Sequence, residues 1–306
     1  MEVLSVEKLL NALISFAGEE RVLVDQPMSR YTSFRIGGPA DIVFCPETAQ
    51  EIIMAQALAV EADVPVVVIG CGSNLLVSDK GIRGLVILLG KPFSGIEVEG
   101  NVIHAQAGAR MSALANAALA HGLAGLEFAS GIPGSVGGGV YMNAGAYGGQ
   151  LSDVIREVEL IRDGMVVRVP AEEMDFGYRH SAAMDEEALI TGATFVLQPG
   201  DPEEIRAKMS DLNGRRRDKQ PLEYPSAGSV FKRPEGYFAG ALIEQSGLKG
   251  YTIGGAQVSE KHAGFIINRG GATAQDVCEL VEYVQNVVQE KFGVWMDTEI
   301  RFIGEE

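Results

Sequence analysis

The chain has 306 residues, 46% hydrophobic and 22% charged, an ordinary globular composition with a soft expectation of two domains at about 150 residues each. Its 41 acidic against 25 basic residues leave a net charge of −16, which argues against nucleic acid as a partner, since phosphate binding asks for a basic face. No apolar run approaches the ~20 residues of a membrane span and the start of the chain lacks a basic leader, so no membrane association and a cytoplasmic location are expected.

In chain order, apolar residues at helical spacing predict a helix around Val6–Phe16, then a strand around Ala40–Phe44. Thr48-Ala-Gln-Glu51 is a capping box that opens a second helix. The run Val64–Ile69 reads as a buried strand leading into Gly70-Cys71-Gly72-Ser73-Asn74, a turn of the kind that aims backbone N–H groups at phosphate oxygens. Two of its glycines fit a dinucleotide fingerprint, but Leu75 stands where the third should be. LLVSDKGIRGLVILL reads as strand and turn, so the helix that a Rossmann site needs is missing. The loop can still bind phosphate as a nest, with a tight hairpin turn as the blander reading.

From about Lys91 to Gln198 strands dominate, in GIEVEGNVIHAQAG, VIREVELIRDGMVVRVP and ALITGATFVLQPG, with a helix at Met111–His121. Between them lies Gly131–Gly149, GIPGSVGGGVYMNAGAYGG, where eight of nineteen residues are glycine. Glycine at that density costs backbone entropy and packs no side chain, so it marks close approach or turns through positive φ. Close contact with a large anionic cofactor is the favoured reading; a packing turn is the bland one. Neither glycine segment fits the phosphate-loop pattern of nucleotide hydrolases.

Gly200-Asp201-Pro202 reads as a boundary. The helix after it carries Ile205, Met209 and Leu212 on one face and ends in Arg215-Arg216-Arg217-Asp218-Lys219. Those cations offset the helix dipole and offer an anionic substrate a place to land. Helices at Tyr237–Ser246 and from Thr273 to Gly293 follow, the second turning Val277, Leu280, Val281, Val284, Val287 and Val288 inward. In the strand VWMDTEIRFI, Trp295, Asp297, Glu299 and Arg301 share one face, and Val294, Met296, Thr298, Ile300 and Phe302 the other. Strands mixed with helices, without regular βαβ units, point to an α+β fold.

Cys45, Cys71 and Cys278 are odd in number and far apart, which fits structural thiols in a reducing compartment. His104, His121, His180 and His262 show no paired ligand spacing, so no metal is expected. Ser229-Val-Phe-Lys232 has the S-x-x-K spacing of acyl-serine enzymes, but Pro225 and Pro234 flank a strand-like alternation that sends Ser229 and Lys232 to opposite faces. In isolation Arg179 reads as a solvated surface arginine and Glu299 as part of an exposed strand face.

The motifs carry more in combination. Arg35-Ile-Gly-Gly38, GCGSNLLVSD, the Gly131–Gly149 segment, Gly177-Tyr-Arg-His-Ser181, Ser226-Ala-Gly-Ser-Val-Phe-Lys232, Leu248-Lys-Gly with Ile253-Gly-Gly, and a C-terminal Glu-Ile-Arg occur in that order. The set resembles the UDP-N-acetylenolpyruvoylglucosamine reductase family over nearly the whole chain. The resemblance implies an α+β fold with an FAD-binding part of the vanillyl-alcohol-oxidase/PCMH type. Residues 1–90 and 91–200 would be its two subdomains and 201–306 the substrate-binding domain, whose terminal strand could pack back on an earlier one. It implies noncovalent FAD, NADPH as electron donor, and reduction of the enolpyruvyl ether of UDP-N-acetylglucosamine to UDP-N-acetylmuramate for peptidoglycan. The SVFKR environment resembles the family's compact subtype.

Carried onto this chain, Ser229 matches the family's proton donor, and Arg179 and Glu299 the pair around the substrate carboxylate, with Glu299 protonated or held by hydrogen bonds. Tyr178, Lys219 and Arg233 match substrate contacts, although Arg233 stands where the longer subtype has asparagine. The backbone of Gly70, Gly72, Ser73, Asn74 and Leu75, and of Gly131, Ile132, Pro133, Gly134, Ser135, Gly137 and Gly138, would hold FAD. Gly108, Asn143, Gly145 and Tyr147 would lie nearby. NADPH and sugar nucleotide would use one site in turn. The alternatives are another FAD oxidoreductase on the same fold, or a catalytically dead flavin or sugar-nucleotide binder.

Overall fold

The computed structural model describes residues 3–186 and 188–305. It divides into two units: residues 1–24, 42–71 and 84–215 form one, and residues 25–41, 72–83 and 216–306 the other. The chain therefore passes between units five times instead of forming three consecutive blocks. The boundary read at Gly200-Asp201-Pro202 falls instead after Arg215. The helix Pro202–Lys219 explains the shift, because Ile205, Met209 and Leu212 join the core of the first unit.

In that first unit the helices Val3–Ala17 and Ala49–Glu61 appear where the apolar spacing puts them. Thr48 caps the second by accepting from the Glu51 N–H at 3.2 Å. The strand Val66–Ile69 runs parallel to the strand Ile82–Leu88, with Val66 opposite Leu85. A five-stranded antiparallel sheet follows, in the order Met165–Pro170, Ile155–Arg162, Leu189–Val196, Val102–Gln106, Ile96–Glu99. Leu189–Val196 is buried almost throughout, as a central strand should be. The helix Met111–Ala120 buries Met111, Leu114, Ala115 and Ala118 in the same core.

Inside the glycine segment the chain forms a one-and-a-half-turn helix, Val136–Tyr141, that its composition argues against. Ser135 supplies the missing stability as N-cap, accepting from Gly138 N–H at 3.4 Å.

The second unit packs the helices Ala239–Gln245 and Ala274–Phe292 with the strands Thr252–Ile253, Ala256–Val258 and Ile266–Asn268. Phe34, Ile36, Leu76, Val230, Met296 and Ile300 fill its core with the inward face of the long helix. The expected strand VWMDTEIRFI is broken: Thr298 bridges to Phe231, the backbone bends at Glu299 and Ile300, and Arg301–Ile303 pairs in parallel with Leu75–Val77. Changing partners in mid-run breaks the alternation, so Met296 and Ile300 are buried while Phe302 stays 45% exposed.

The long helix starts at a complete capping box, Thr273 with Asp276, and two further N–H groups, of Ala274 and Gln275, donate to the Asp79 carboxylate at 2.8 and 3.1 Å. The N–H groups of Thr273 and Gly255 hold the Asp276 carboxyl below its ordinary value of 3.8. A depressed carboxylate stabilises the fold above its unfolded pKa and loses that contribution as pH falls. Acid titration of unfolding should therefore show a shallower loss below about pH 4 for Asp276→Asn than for the wild type. Thr273→Ala should cost about 1 kcal/mol in urea denaturation at neutral pH.

Candidate functional site

The first unit gathers the glycine-rich elements. Gly70, at the end of its strand, lies so close to Ser135 that a Cβ there would overlap the Ser135 Oγ. Residues 107–111 pin the following turn: Gly137 N–H donates to Ala107 O and Val136 N–H to Ala109 O, both at 2.8 Å, and Met111 N–H to Gly134 O at 2.9 Å. The turn is thus fixed before any ligand arrives.

Most of these glycines answer to the protein's own atoms. A Cβ on Gly137 would come within 2.8 Å of Ala107 Cβ, one on Gly149 within 2.6 Å of the Phe128 ring, and one on Gly108 within 2.7 Å of Gly90 O. Gly145 is closed off by Gly149 O at 2.7 Å. Gly138 is different: it is exposed, and the neighbour its Cβ would meet is the Ser135 Oγ at 3.5 Å. Packing does not require glycine there, so its bare backbone fits close approach by a group from outside. Gly131, Ile132, Gly134 and exposed Pro133 adjoin it in the same unit, with Ser135 buried beneath.

Arg179 lies in the same unit, with Tyr178, on a two-residue turn closed by the reciprocal bonds Gly177 N–H to His180 O at 3.2 Å and His180 N–H to Gly177 O at 3.4 Å. Its φ is +57°, a left-handed conformation that a large side chain adopts at a cost. The guanidinium donates to Gly145 O at 3.2 Å and sits 5.1 Å from the centroid of the Tyr178 ring. His180 is flanked by Asp175 at 3.5 Å and Asp185 at 3.3 Å. Arg179 is thus half-buried, with its guanidinium anchored to Gly145 O. Tyr147, also at positive φ, is 45% exposed.

In the second unit the segments that carry Ser229 and Glu299 are joined through their backbones. Ser229 bridges Phe265, and the next residue, Val230, accepts from Glu299 N–H at 2.7 Å. Asn74 Nδ2 donates to Glu299 O at 3.0 Å, and Asn74 O accepts from Arg301 N–H at 2.9 Å. The Glu299 peptide is thereby gripped on both sides. Ser229 has no helical turn around it, and Lys232 N–H is bonded to Asp297 O at 2.8 Å, which leaves the acyl-serine spacing without its structural context.

The Gly70–Leu75 loop is divided: Gly70 belongs to the first unit and Gly72, Ser73, Asn74 and Leu75 to the second. Gly72, at φ +60°, has no room for a side chain against Tyr31 O. Lys219 is exposed at its helix end, where Lys261 Nζ donates to Arg217 O at 2.7 Å. Arg233 donates to Tyr237 O at 3.1 Å and stacks over the Phe238 ring at 3.9 Å.

Several residues that support the site gave little sign in the sequence. Ser181, fully buried, donates to Tyr141 O at 2.8 Å beside the arginine turn. Half-buried His262 accepts from Gly264 N–H at 3.2 Å and sets its ring edge-on to Phe265, the partner of Ser229. Burial pushes its imidazole below the ordinary value of 6.5. Among the described residues no group of three His, Cys, Asp or Glu side chains could hold a metal, and no helix is long and apolar enough to cross a membrane.

Comparison with known proteins finds two domain matches along the chain. Residues 40–170 match an FAD binding domain, and residues 220–303 match the domain described as UDP-N-acetylenolpyruvoylglucosamine reductase, C-terminal domain. The fold and these matches define a flavin-binding α+β protein of the reductase class. The enzyme of Caldanaerobacter subterraneus subsp. tengcongensis named UDP-N-acetylenolpyruvoylglucosamine reductase is 50% identical over 98% of this chain and 99% of its own. The enzyme of that name from Pediococcus pentosaceus is 52% identical over 94% and 96%. The crystal structure of the Thermus caldophilus reductase superposes with a TM-score of 0.79 at 36% identity, covering 92% of this chain and 97% of that one. The chain belongs to the UDP-N-acetylenolpyruvoylglucosamine reductase family.

The glycine contacts give a test of packing. Gly138→Ala should leave thermal stability unchanged or raise it by up to about 1 kcal/mol, as for any open helical glycine. Gly137→Ala, forced against Ala107, should lower it by about 1–3 kcal/mol in the same measurement.

Proposed function

We propose that this protein reduces the enolpyruvyl ether of UDP-N-acetylglucosamine to UDP-N-acetylmuramate, a peptidoglycan precursor, in the cytoplasm, with NADPH as electron donor. Supporting it most is the match along the chain's length to reductases of that name, in a fold where the Glu299 N–H is bonded to Val230 O, next to Ser229. Noncovalent FAD would be held by the backbone around Gly70 and Gly131–Gly138, with Tyr147 nearby. When bound it supplies the hydride, taken first from NADPH.

The rest of the chemistry falls to the chain's own side chains. As hydride adds to the terminal vinyl carbon, negative charge develops on the neighbouring carbon and its carboxylate. The guanidinium of Arg179 is always charged and offers a planar fork to that carboxylate. Stabilisation of this kind is worth about 3–4 kcal/mol per donor lost. Ser229 Oγ gives its proton to the carbon, which its high pKa permits because the acceptor is strongly basic. Glu299 is proposed to act on the substrate as an uncharged hydrogen-bond donor. Tyr178, Lys219 and Arg233 are proposed substrate contacts, the lysine toward the diphosphate.

The test is an anaerobic visible spectrum of the purified protein. An oxidised-flavin band should bleach with NADPH and return when the enolpyruvyl sugar nucleotide is added; no flavin after reconstitution with FAD would overturn the reading. Ser229→Ala should be reduced by NADPH at the wild-type rate but stall in reoxidation, while Ser229→Cys keeps measurable turnover. Equal loss of both half-reactions would count against the serine. Arg179→Ala should lower kcat/KM by about 10²–10³, and Gly138→Ala should lose bound FAD at full stability.

A further inference from the structure

We infer that Asn143 is a positioning residue for Arg179: its side-chain amide fixes the turn that presents the guanidinium, and is not itself a contact to the cofactor. The inference rests on the reading of Arg179 given above. Asn143 is 1% exposed, and both ends of its amide are spent inside the first unit. Nδ2 donates to Gly177 O at 3.0 Å and, less directly, to Gln150 Oε1 at 3.5 Å, while Oδ1 accepts from Ser152 N–H at 3.0 Å. A buried amide so engaged has little left to offer a ligand.

The arrangement around it is a ladder of three rungs. Ser181 Oγ donates to Tyr141 O, Asn143 Nδ2 to Gly177 O, and Arg179 Nη2 to Gly145 O, at 2.8, 3.0 and 3.2 Å. Residues 141, 143 and 145 are thus each tied to the stretch 177–181. Asn143 is the middle rung, bonded at the first residue of the turn whose corner is Arg179.

That turn needs holding. Its own closing bonds are 3.2 and 3.4 Å long, and Arg179 sits at φ +57°. A non-glycine residue persists in that region only where the surroundings over-determine it. Asparagine also suits the other end of the rung, because its own φ is +40°, a conformation that asparagine tolerates better than most residues. An aspartate there would keep the acceptor for Ser152 N–H but turn a carboxylate oxygen on the Gly177 carbonyl, so the two functions of the amide can be separated.

Asn143→Gly, which keeps the left-handed backbone, and Asn143→Asp are compared with the wild-type holoenzyme, alone and combined with Arg179→Ala. Bound FAD and its reduction by NADPH should be unchanged in both single variants. Reoxidation by the enolpyruvyl sugar nucleotide should slow by about tenfold or more, with no further loss when either is added to Arg179→Ala. Loss of FAD, equal slowing of both half-reactions, or multiplicative losses in the double variants would overturn the inference. Wild-type reoxidation by Arg179→Ala would overturn the reading of the arginine itself. That result is distinct from a slow Arg179→Ala beside unaffected Asn143 variants, which overturns the positioning role alone.

Discussion

The second unit depends on stitching together stretches that are remote in the chain, and the central stitch is the parallel pairing of Arg301–Ile303 with Leu75–Val77. Residues 25–41, 72–83 and 216–306 have no common core until they meet. Asn74 extends the stitch by one residue, holding Glu299 O with its side chain and Arg301 N–H with its carbonyl. Asp79 caps the long helix, Asn268 Nδ2 holds Phe34 O, and Ser33 Oγ holds Ser226 O. Each of these bonds joins residues about 190 or more apart. Contacts of that separation repay their loop-closure entropy late. The Val230–Glu299 backbone bond therefore forms only in the completed unit, and Asn74 belongs as much to that junction as to the loop in which it sits.

The bend at Glu299 follows from the same stitch. A segment that pairs first with Phe231 and then with Leu75–Val77 cannot keep one uninterrupted alternation. Glu299 occupies the change of partner, with its N–H given to Val230 and its carbonyl to Asn74. Its backbone is thus committed on both flanks at the point where the segment changes partner.

Periodicity made the regular elements legible. Val277, Leu280, Val281, Val284 and Val288 are buried as their spacing requires, and Thr273 and Gly293 mark the ends of their helix. The glycine-rich segment was legible as unusual, but its cause was not. Composition cannot tell a glycine excluded by Ala107 or Phe128 from one left open like Gly138, because both cost the chain the same entropy. Ser135 as a cap, and hence a helix inside that segment, was hidden because the following residues are poor helix formers. The boundary misplaced at Gly200 shows the same limit: a local turn signal says where the chain bends, not which core the next helix joins.

Arg179 was hardest to read, because a turn arginine between polar neighbours is ordinary in sequence. Its distinguishing property is conformational. Asn143, Tyr147 and Arg179 all adopt positive φ in the first unit, and Arg35 does so in the second. Two of them, Asn143 and Arg179, are tied to each other's segments by side-chain bonds to Gly177 O and Gly145 O. A guanidinium on a flexible side chain would lose rotamer freedom on meeting an anion, and that loss weakens binding. Here the bond from Arg179 Nη2 to Gly145 O restricts the guanidinium within the fold itself. The positive φ of Arg179 is therefore a cost to the fold that the crossing bonds help to offset.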